Sequence, residues 1–253
     1  MTITVIILNY NRPHNLDKLI PEIVNYTDIS EIIISHGRKD TEYLFNHPKI
    51  INETKLRNKY YAATRHEVAK LATNDIILHL NDDLIPSEYL VKKLLKKYKE
   101  KGENNIYGPY GNTCTIDGVE SSSRLPYFPY NGIQIGLALV SKTFSLKIWE
   151  EIKKNKEFNI MMMYKGNGED IIFSNYINKF DGNNIRVKGA FKQLDESNGY
   201  STTNWKNFNK ERNHLCKIMH QPSITYQKII YYLIYLILGI ILYLLFLKSK
   251  QLI

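Results

Sequence analysis

Asn81, Asp82 and Asp83 place three oxygen-bearing side chains directly after the apolar run of residues 75–80. Clustered carboxylate oxygens suit hard cations such as Mg2+ or Mn2+, and a cation held there could carry a diphosphate. The competing reading of the triplet is an Asn-Asp turn capping a helix that starts near Pro86 and Ser87. His36, His66, His79, His214 and His220 show no metal-ligand spacing, and the alternation along residues 75–80 makes His79 a core residue. Cys114 and Cys216, the only cysteines, give neither a zinc pattern nor a disulfide framework. They fit a reducing compartment, with a single disulfide left open.

For the triplet to act, a buried strand has to deliver it to a cleft. Residues 2–8 and 31–35 read as two further short buried strands, ending at Asn9-Tyr10-Asn11-Arg12-Pro13 and Ser35-His36-Gly37-Arg38. Leu16, Leu19, Ile20, Ile23 and Val24 recur at helical spacing, with Pro21 predicting a kink or a late start. A helix over residues 60–71 precedes the strand at 75–80, and the lysine-faced pattern of residues 89–99 gives an amphipathic helix after it. Strands alternating with helices predict an α/β fold with a mostly parallel sheet and helices on both faces. The carboxyl ends of its strands then form one crevice, where ligands of such sheets bind. In the second half the Gly, Asn, Tyr, Ser and Pro content of 103–134 predicts a long loop region that leaves room for short strands, followed by a strand over 134–140 and a helix over 142–152. A turn at Lys165–Asp170 then feeds a helix over 171–180, and a strand follows near 184–187.

The chain has 253 residues and a formal net charge of +9, enough length for one domain with a substantial core. The lysines are scattered outside the helix at 89–99, and no nucleic-acid-binding signature accompanies them, so nucleic acid is not an expected partner. Residues 229–247 contain no charged side chain. As a helix the run is about 29 Å long, close to the hydrocarbon thickness of a bilayer. Lys228, Lys248 and Lys250 flank it, and Tyr226, Tyr231 and Tyr232 fit an interfacial belt. Residues 1–8 do not read as a signal peptide. The expectation is a domain over 1–225 facing the cytosol and a transmembrane anchor with a short basic tail over 226–253, a single-pass, tail-anchored membrane protein.

Three segments carry a family resemblance: residues 4–13 with their Asn9-Tyr10-Asn11-Arg12 ending, residues 77–84 with the Asn-Asp-Asp triplet, and residues 167–172 with Glu169-Asp170. In order and rough spacing they resemble the GT-A-fold glycosyltransferases, family 2-like and more closely exostosin-like (family 64), over about residues 3–200. The resemblance implies a Rossmann-like GT-A fold and transfer of a sugar from a nucleotide sugar, UDP-linked, to a glycan, lipid-linked or protein acceptor. It implies that Asn9, Arg12 and Arg65 line the nucleotide pocket, that Asp83 is the metal ligand for Mn2+ or Mg2+, and that Asp82 contacts sugar hydroxyls or braces the turn. Asn81 stands where the family usually has its first Asp, a departure that removes one charge. A late histidine completes the metal site in some such enzymes, and His214 and His220 are the candidates.

The chemistry asks for these residue types on its own account. Charge develops on a leaving diphosphate, and a Lewis-acidic cation or an arginine can neutralise it. Glu169 or Asp170 can serve as general base on an acceptor hydroxyl, or stabilise the anomeric centre in a retaining enzyme. Both readings compete with acids that merely favour a helix N-terminus, as Arg65 competes with a surface pairing to Glu67. Two other functions stay open: a nucleotidyltransferase, which lacks its usual Gly-rich loop here, and a non-catalytic tail-anchored binding protein with a degenerate transferase fold.

Overall fold

Ile3–Asn9, the first strand (β1), is a run of branched apolar residues buried on both faces, the composition expected of a central parallel strand. A computed structural model describes residues 1–115, 118–121, 132–133, 135–194, 206–220 and 236–237. After β1 come α1 (Pro13–Ile23), β2 (Ile29–His36), β3 (Ile50–Glu53), α2 (Thr64–Val68) and β4 (Ile76–Asn81). Next are β5 (Leu84–Pro86), α3 (Glu88–Lys101), β6 (Asn105–Gly108), β7 (Gly111–Thr115), β8 (Gly118–Ser121), β9 (Gly132–Ile133) and β10 (Leu137–Ser141). The remainder is α4 (Lys142–Lys153), α5 (Lys156–Met163), α6 (Glu169–Lys179), β11 (Asn183–Arg186), β12 (Phe191–Gln193) and α7 (Phe208–His220).

The main sheet runs β11-β6-β10-β4-β1-β2-β3. β1 pairs in parallel with β2 and β4, and β2 with β3, while β10 lies antiparallel between β4 and β6. The sheet is therefore mostly parallel, as expected. Val5 and Ile7 face a layer with Leu16, Leu19, Leu90 and Leu94 of α1 and α3. Ile6 and Ile77 face the opposite layer, with Val68, Ile148, Trp149 and Phe173 of α2, α4 and α6. Small sheets β12-β5 and β8-β7-β9 flank this core.

Several local expectations need correction. Pro21 lies inside α1 without ending it; Pro13 starts the helix at its first position, where a missing N–H costs nothing, and burial of Leu16, Leu19, Ile20 and Ile23 carries it past Pro21. The segment 60–71 is not one helix but α2 between two 3₁₀ turns, Tyr61–Ala63 and Ala69–Leu71. The Asn-Asp-Asp triplet does not cap α3. Ser87 does, accepting from the Leu90 amide at 3.2 Å, and β5 separates the two. The cysteines take the alternative left open: Cys114 of β7 and Cys216 of α7 form a disulfide.

The chain divides into two compact units, Met1–Met219 and His220–Ile253. In the second, residues 236–237 are helical and their side chains exposed. The rest of the expected anchor lies outside the described residues. Among the described residues no helix is long and apolar enough to cross a membrane.

Candidate active site

Asn9, Arg12, Arg65, Asn81, Asp82, Asp83, Glu169 and Asp170 all line one cleft of about 490 Å³ at the carboxyl ends of β1, β2 and β4. They arrive from four separate segments of the chain. Asn9 closes β1, where its carboxamide donates to the Thr41 carbonyl at 2.9 Å and lies 3.0 Å from His36 Nδ1. It thereby ties the end of β1 to the end of β2.

Arg12, at the boundary of α1, reaches across to the triplet. Its Nη2 lies 2.5 Å from Asp82 Oδ1 and its Nη1 3.0 Å from Asp83 Oδ2. Burial drives the Asp82 carboxyl up to about 7, against the pull of Arg12. Burial also opposes charge on Arg12, yet the two acids outweigh it and raise its pKa further. Asp83 Oδ1 is buried without a hydrogen-bond partner among the described residues. The acid pair thus already gathers one cationic group and keeps one orphaned hard oxygen, a donor set that fits a divalent ion. Among the described residues no group of three or more His, Cys, Asp or Glu side chains is arranged to hold a metal. An ion there would complete its shell with water and phosphate oxygens, as Mg2+ sites usually do.

Arg65 is fixed. Its guanidinium donates to the Ala62 and Ile135 carbonyls, both at 3.1 Å, and to Asn81 Oδ1 at 2.9 Å; Glu169 Oε1 lies 3.8 Å away. The expected alternative partner, Glu67, is engaged by Lys70 and the Trp149 indole instead. Asn81 can receive Arg65 because residue 136 is glycine: a Cβ there would stand 2.4 Å from Asn81 Nδ2.

Glu169 and Asp170 open α6 after a loop that bends through left-handed backbone. Lys165, Gly166 and Gly168 have φ of 51, 79 and 86°. Gly166 packs so closely on the turn before α2 that a Cβ would lie 2.7 Å from that of Tyr61, itself at φ 52°. Left-handed conformations are costly for non-glycine residues and gather at functional sites; Arg57, Tyr61 and Lys165 all line the cleft.

The two carboxyls are driven apart. Arg212 of α7 grips Asp170 bidentately at 2.8 and 2.9 Å. Burial opposes ionisation of Asp170, but the guanidinium outweighs it and the carboxyl stays below its ordinary range. Glu169 is pushed up to about 7, first by burial and then by the negative charge of Asp170. The pair is thus split into a carboxyl that can exchange a proton near neutrality, Glu169, and an anchored anion, Asp170.

Sequence reasoning missed Arg212, although Arg212, Leu215, Cys216 and Met219 show the spacing of one helix face. It also missed Arg57, which pairs with Glu42; nothing in its neighbourhood in the chain marks it. His214 does not join the cleft; it is exposed and lies 2.5 Å from the Tyr164 hydroxyl. The His220 side chain lies outside the described residues.

A family model described as glycosyl transferase family 2 matches residues 4–219. Among solved structures, the chain is similar to the one described as the crystal structure of GalNAc-T7 with UDP, GalNAc and Mn2+, at a TM-score of 0.57 and 11% identity. That match covers 79% of this chain and 45% of the other, so this chain spans less than half the length of that structure. At such identity the likeness speaks for the fold. No curated protein matches.

Proposed function

The chain belongs to glycosyl transferase family 2 and is a glycosyltransferase of GT-A fold, and from that premise we propose that its cleft transfers a sugar from a UDP-linked donor to a hydroxyl acceptor with a divalent cation at Asp83. The observation that carries this is the convergence of eight residues from four separate segments on one cleft, with Asp82 and Asp83 on one part of its wall and the Arg65–Glu169 contact on another. The known neighbour holds UDP and Mn2+, which supports the donor class and the ion. Of the two families that the sequence resembles, the matching model is that of family 2.

In this reading Asn9, Arg12, Arg65, Asn81 and Asp82 contact the nucleotide sugar. When bound, Mn2+ or Mg2+ supplies a Lewis acid for the charge that develops on the leaving diphosphate. Arg65, already fixed by three hydrogen bonds, supplies preorganised donors whose orientation costs nothing at the moment of reaction. Glu169 takes the proton of the acceptor hydroxyl as its oxygen attacks the anomeric carbon and the bond to the diphosphate breaks. A single displacement of this kind inverts the anomeric centre. Arg212 holds Asp170 as an anion at the start of α6, and burial together with that anion keeps Glu169 protonatable near pH 7.

We also propose that residues 226–253 tether the enzyme to a membrane with its catalytic domain on the cytosolic side, which makes a lipid-linked, glycan or protein acceptor accessible at the bilayer. The uncharged run 229–247 supports this. Family membership removes the ground for a nucleotidyltransferase. A degenerate, non-catalytic scaffold has Asn81 in its favour, and calorimetry separates the two. UDP should bind the purified chain at least tenfold more tightly with Mn2+ than with EDTA. Absence of UDP binding in both conditions would remove the nucleotide-sugar assignment.

A further inference from the structure

Arg12 and Arg65 reach the same cleft but are held differently. Arg65 is 4% exposed and donates to two backbone carbonyls and Asn81. Arg12 has no such backbone partner among the described hydrogen bonds. Its side chain is 15% exposed, and among the described residues its guanidinium pairs with Asp82 and Asp83, whose side chains are 5% and 9% exposed. Two adjacent buried carboxylates cannot both stay ionised without a cation, because their repulsion adds to the loss of solvation. Arg12 meets that need with a fork spanning both acids. It does so partly on Asp83, the carboxylate that would hold the divalent ion, whose Oδ1 has no hydrogen-bond partner among the described residues.

From this geometry, and resting on the function proposed above, we propose that Arg12 is an exchangeable counter-cation: it pairs with Asp82 and Asp83 in the donor-free enzyme and yields Asp83 to the divalent ion when the donor's diphosphate arrives. The freed guanidinium then pairs with a phosphate oxygen, for which it has the matching planar donors. A divalent ion arriving alone has to displace Arg12 with nothing to receive it. An ion arriving with a diphosphate leaves Arg12 a new anionic partner. Ion and nucleotide therefore bind cooperatively, and by linkage each strengthens the other by the same factor. The empty site is kept from collecting ions that could not be used.

The test is Mn2+ binding to the full chain, followed by electron paramagnetic resonance and calorimetry, with and without UDP. In the native chain Mn2+ alone should bind weakly, and saturating UDP should tighten it at least tenfold. Arg12→Gln should bind Mn2+ alone at least tenfold more tightly than the native chain, lose most of the UDP effect and bind UDP itself more weakly. Arg12→Lys, which keeps a charge but not the fork, should fall between them. Because Arg12→Gln leaves two buried acids uncompensated, thermal unfolding provides a second readout: Mn2+ alone should raise the Tm of Arg12→Gln by more than it raises that of the native chain. Unchanged or weaker affinity for Mn2+ alone in Arg12→Gln, beside a native chain that binds Mn2+ and UDP together, would overturn the exchange and leave the transferase reading standing. A native chain that binds neither would overturn both.

Discussion

Glu169 and Asp170 are neighbours in the chain and differ in chemistry because of a residue 42 positions away. Arg212 holds Asp170 as an anion, and that anion, added to burial, lifts Glu169 to about 7. A general base must be ionised, so kcat should fall as pH drops below about 7. In Asp170→Asn the neighbouring charge is lost and Arg212 is left facing Glu169, so the acid limb should move to lower pH. A pH–rate profile flat from 5 to 8 in the native enzyme would contradict the assignment of Glu169. The sequence showed both carboxylates but could not separate them, since the separation rests on Arg212. His66 and His79 pose the opposite case. Both are fully buried, and among the described residues none of their ring nitrogens has a hydrogen-bond partner; His66 stacks on Phe173 with centroids 4.3 Å apart. Burial holds both well below the ordinary histidine range. Below about pH 6.5 the unfolded chain takes up protons that the folded chain refuses, so stability is lost as pH falls, by about 1.4 kcal/mol per pH unit for each histidine. Urea unfolding at pH 7.0 and 5.5 should show a smaller loss in His66→Phe/His79→Leu than in the native chain.

At the scale of elements, long buried strands were legible and short connecting pieces were not. β1, β2 and β4 announce themselves as branched apolar runs, and the helical periods of α3 and α4 match their observed bounds closely. β3, β5, β12 and α5 escaped notice, because two- to four-residue strands and one- to two-turn helices take their stability from partners distant in sequence. β5 is defined by its pairing with β12 over 100 residues later. α7 matters most among the missed elements. It carries Arg212, its Leu215 packs at Gly168, and its Cys216 is bonded to Cys114 of β7. The disulfide closes a loop of 102 residues, and chain-entropy arguments give such bonds about 2–5 kcal/mol. Cys216→Ser should therefore lower the unfolding free energy by about that amount in denaturant titrations. It should also lower activity, since the clamp on Asp170 is loosened. A variant with native stability and native turnover would show that α7 needs no tether.

On the scale of the whole molecule, the mostly parallel sheet gathers the ends of β1, β2 and β4 into a single wall, and this explains why motifs 70 residues apart in sequence meet. That convergence was readable from alternating strands and helices; the antiparallel β10 was not, because direction within a sheet leaves no mark on a short apolar run. The same bond that tethers α7 bears on topology. Disulfides persist in oxidising compartments and are rare in the cytosol, so the Cys114–Cys216 bond counts against the proposed cytosolic face, and alkylation in intact cells tests it: free thiols would uphold the cytosolic reading. Recovery of the bonded pair would instead place the domain across the membrane. The central claim is that the cleft cleaves a nucleotide sugar with a cation held at Asp83. Its most direct measurement is release of nucleoside diphosphate from a panel of UDP- and other nucleotide-linked sugars, with Mn2+, Mg2+ or EDTA, by the native chain and by Asp83→Asn. At least one UDP-linked donor should turn over only with the divalent ion, and Asp83→Asn should lose on the order of 100-fold or more of that rate while keeping its native circular dichroism. Equal turnover by Asp83→Asn, or by the native chain in EDTA, would contradict it.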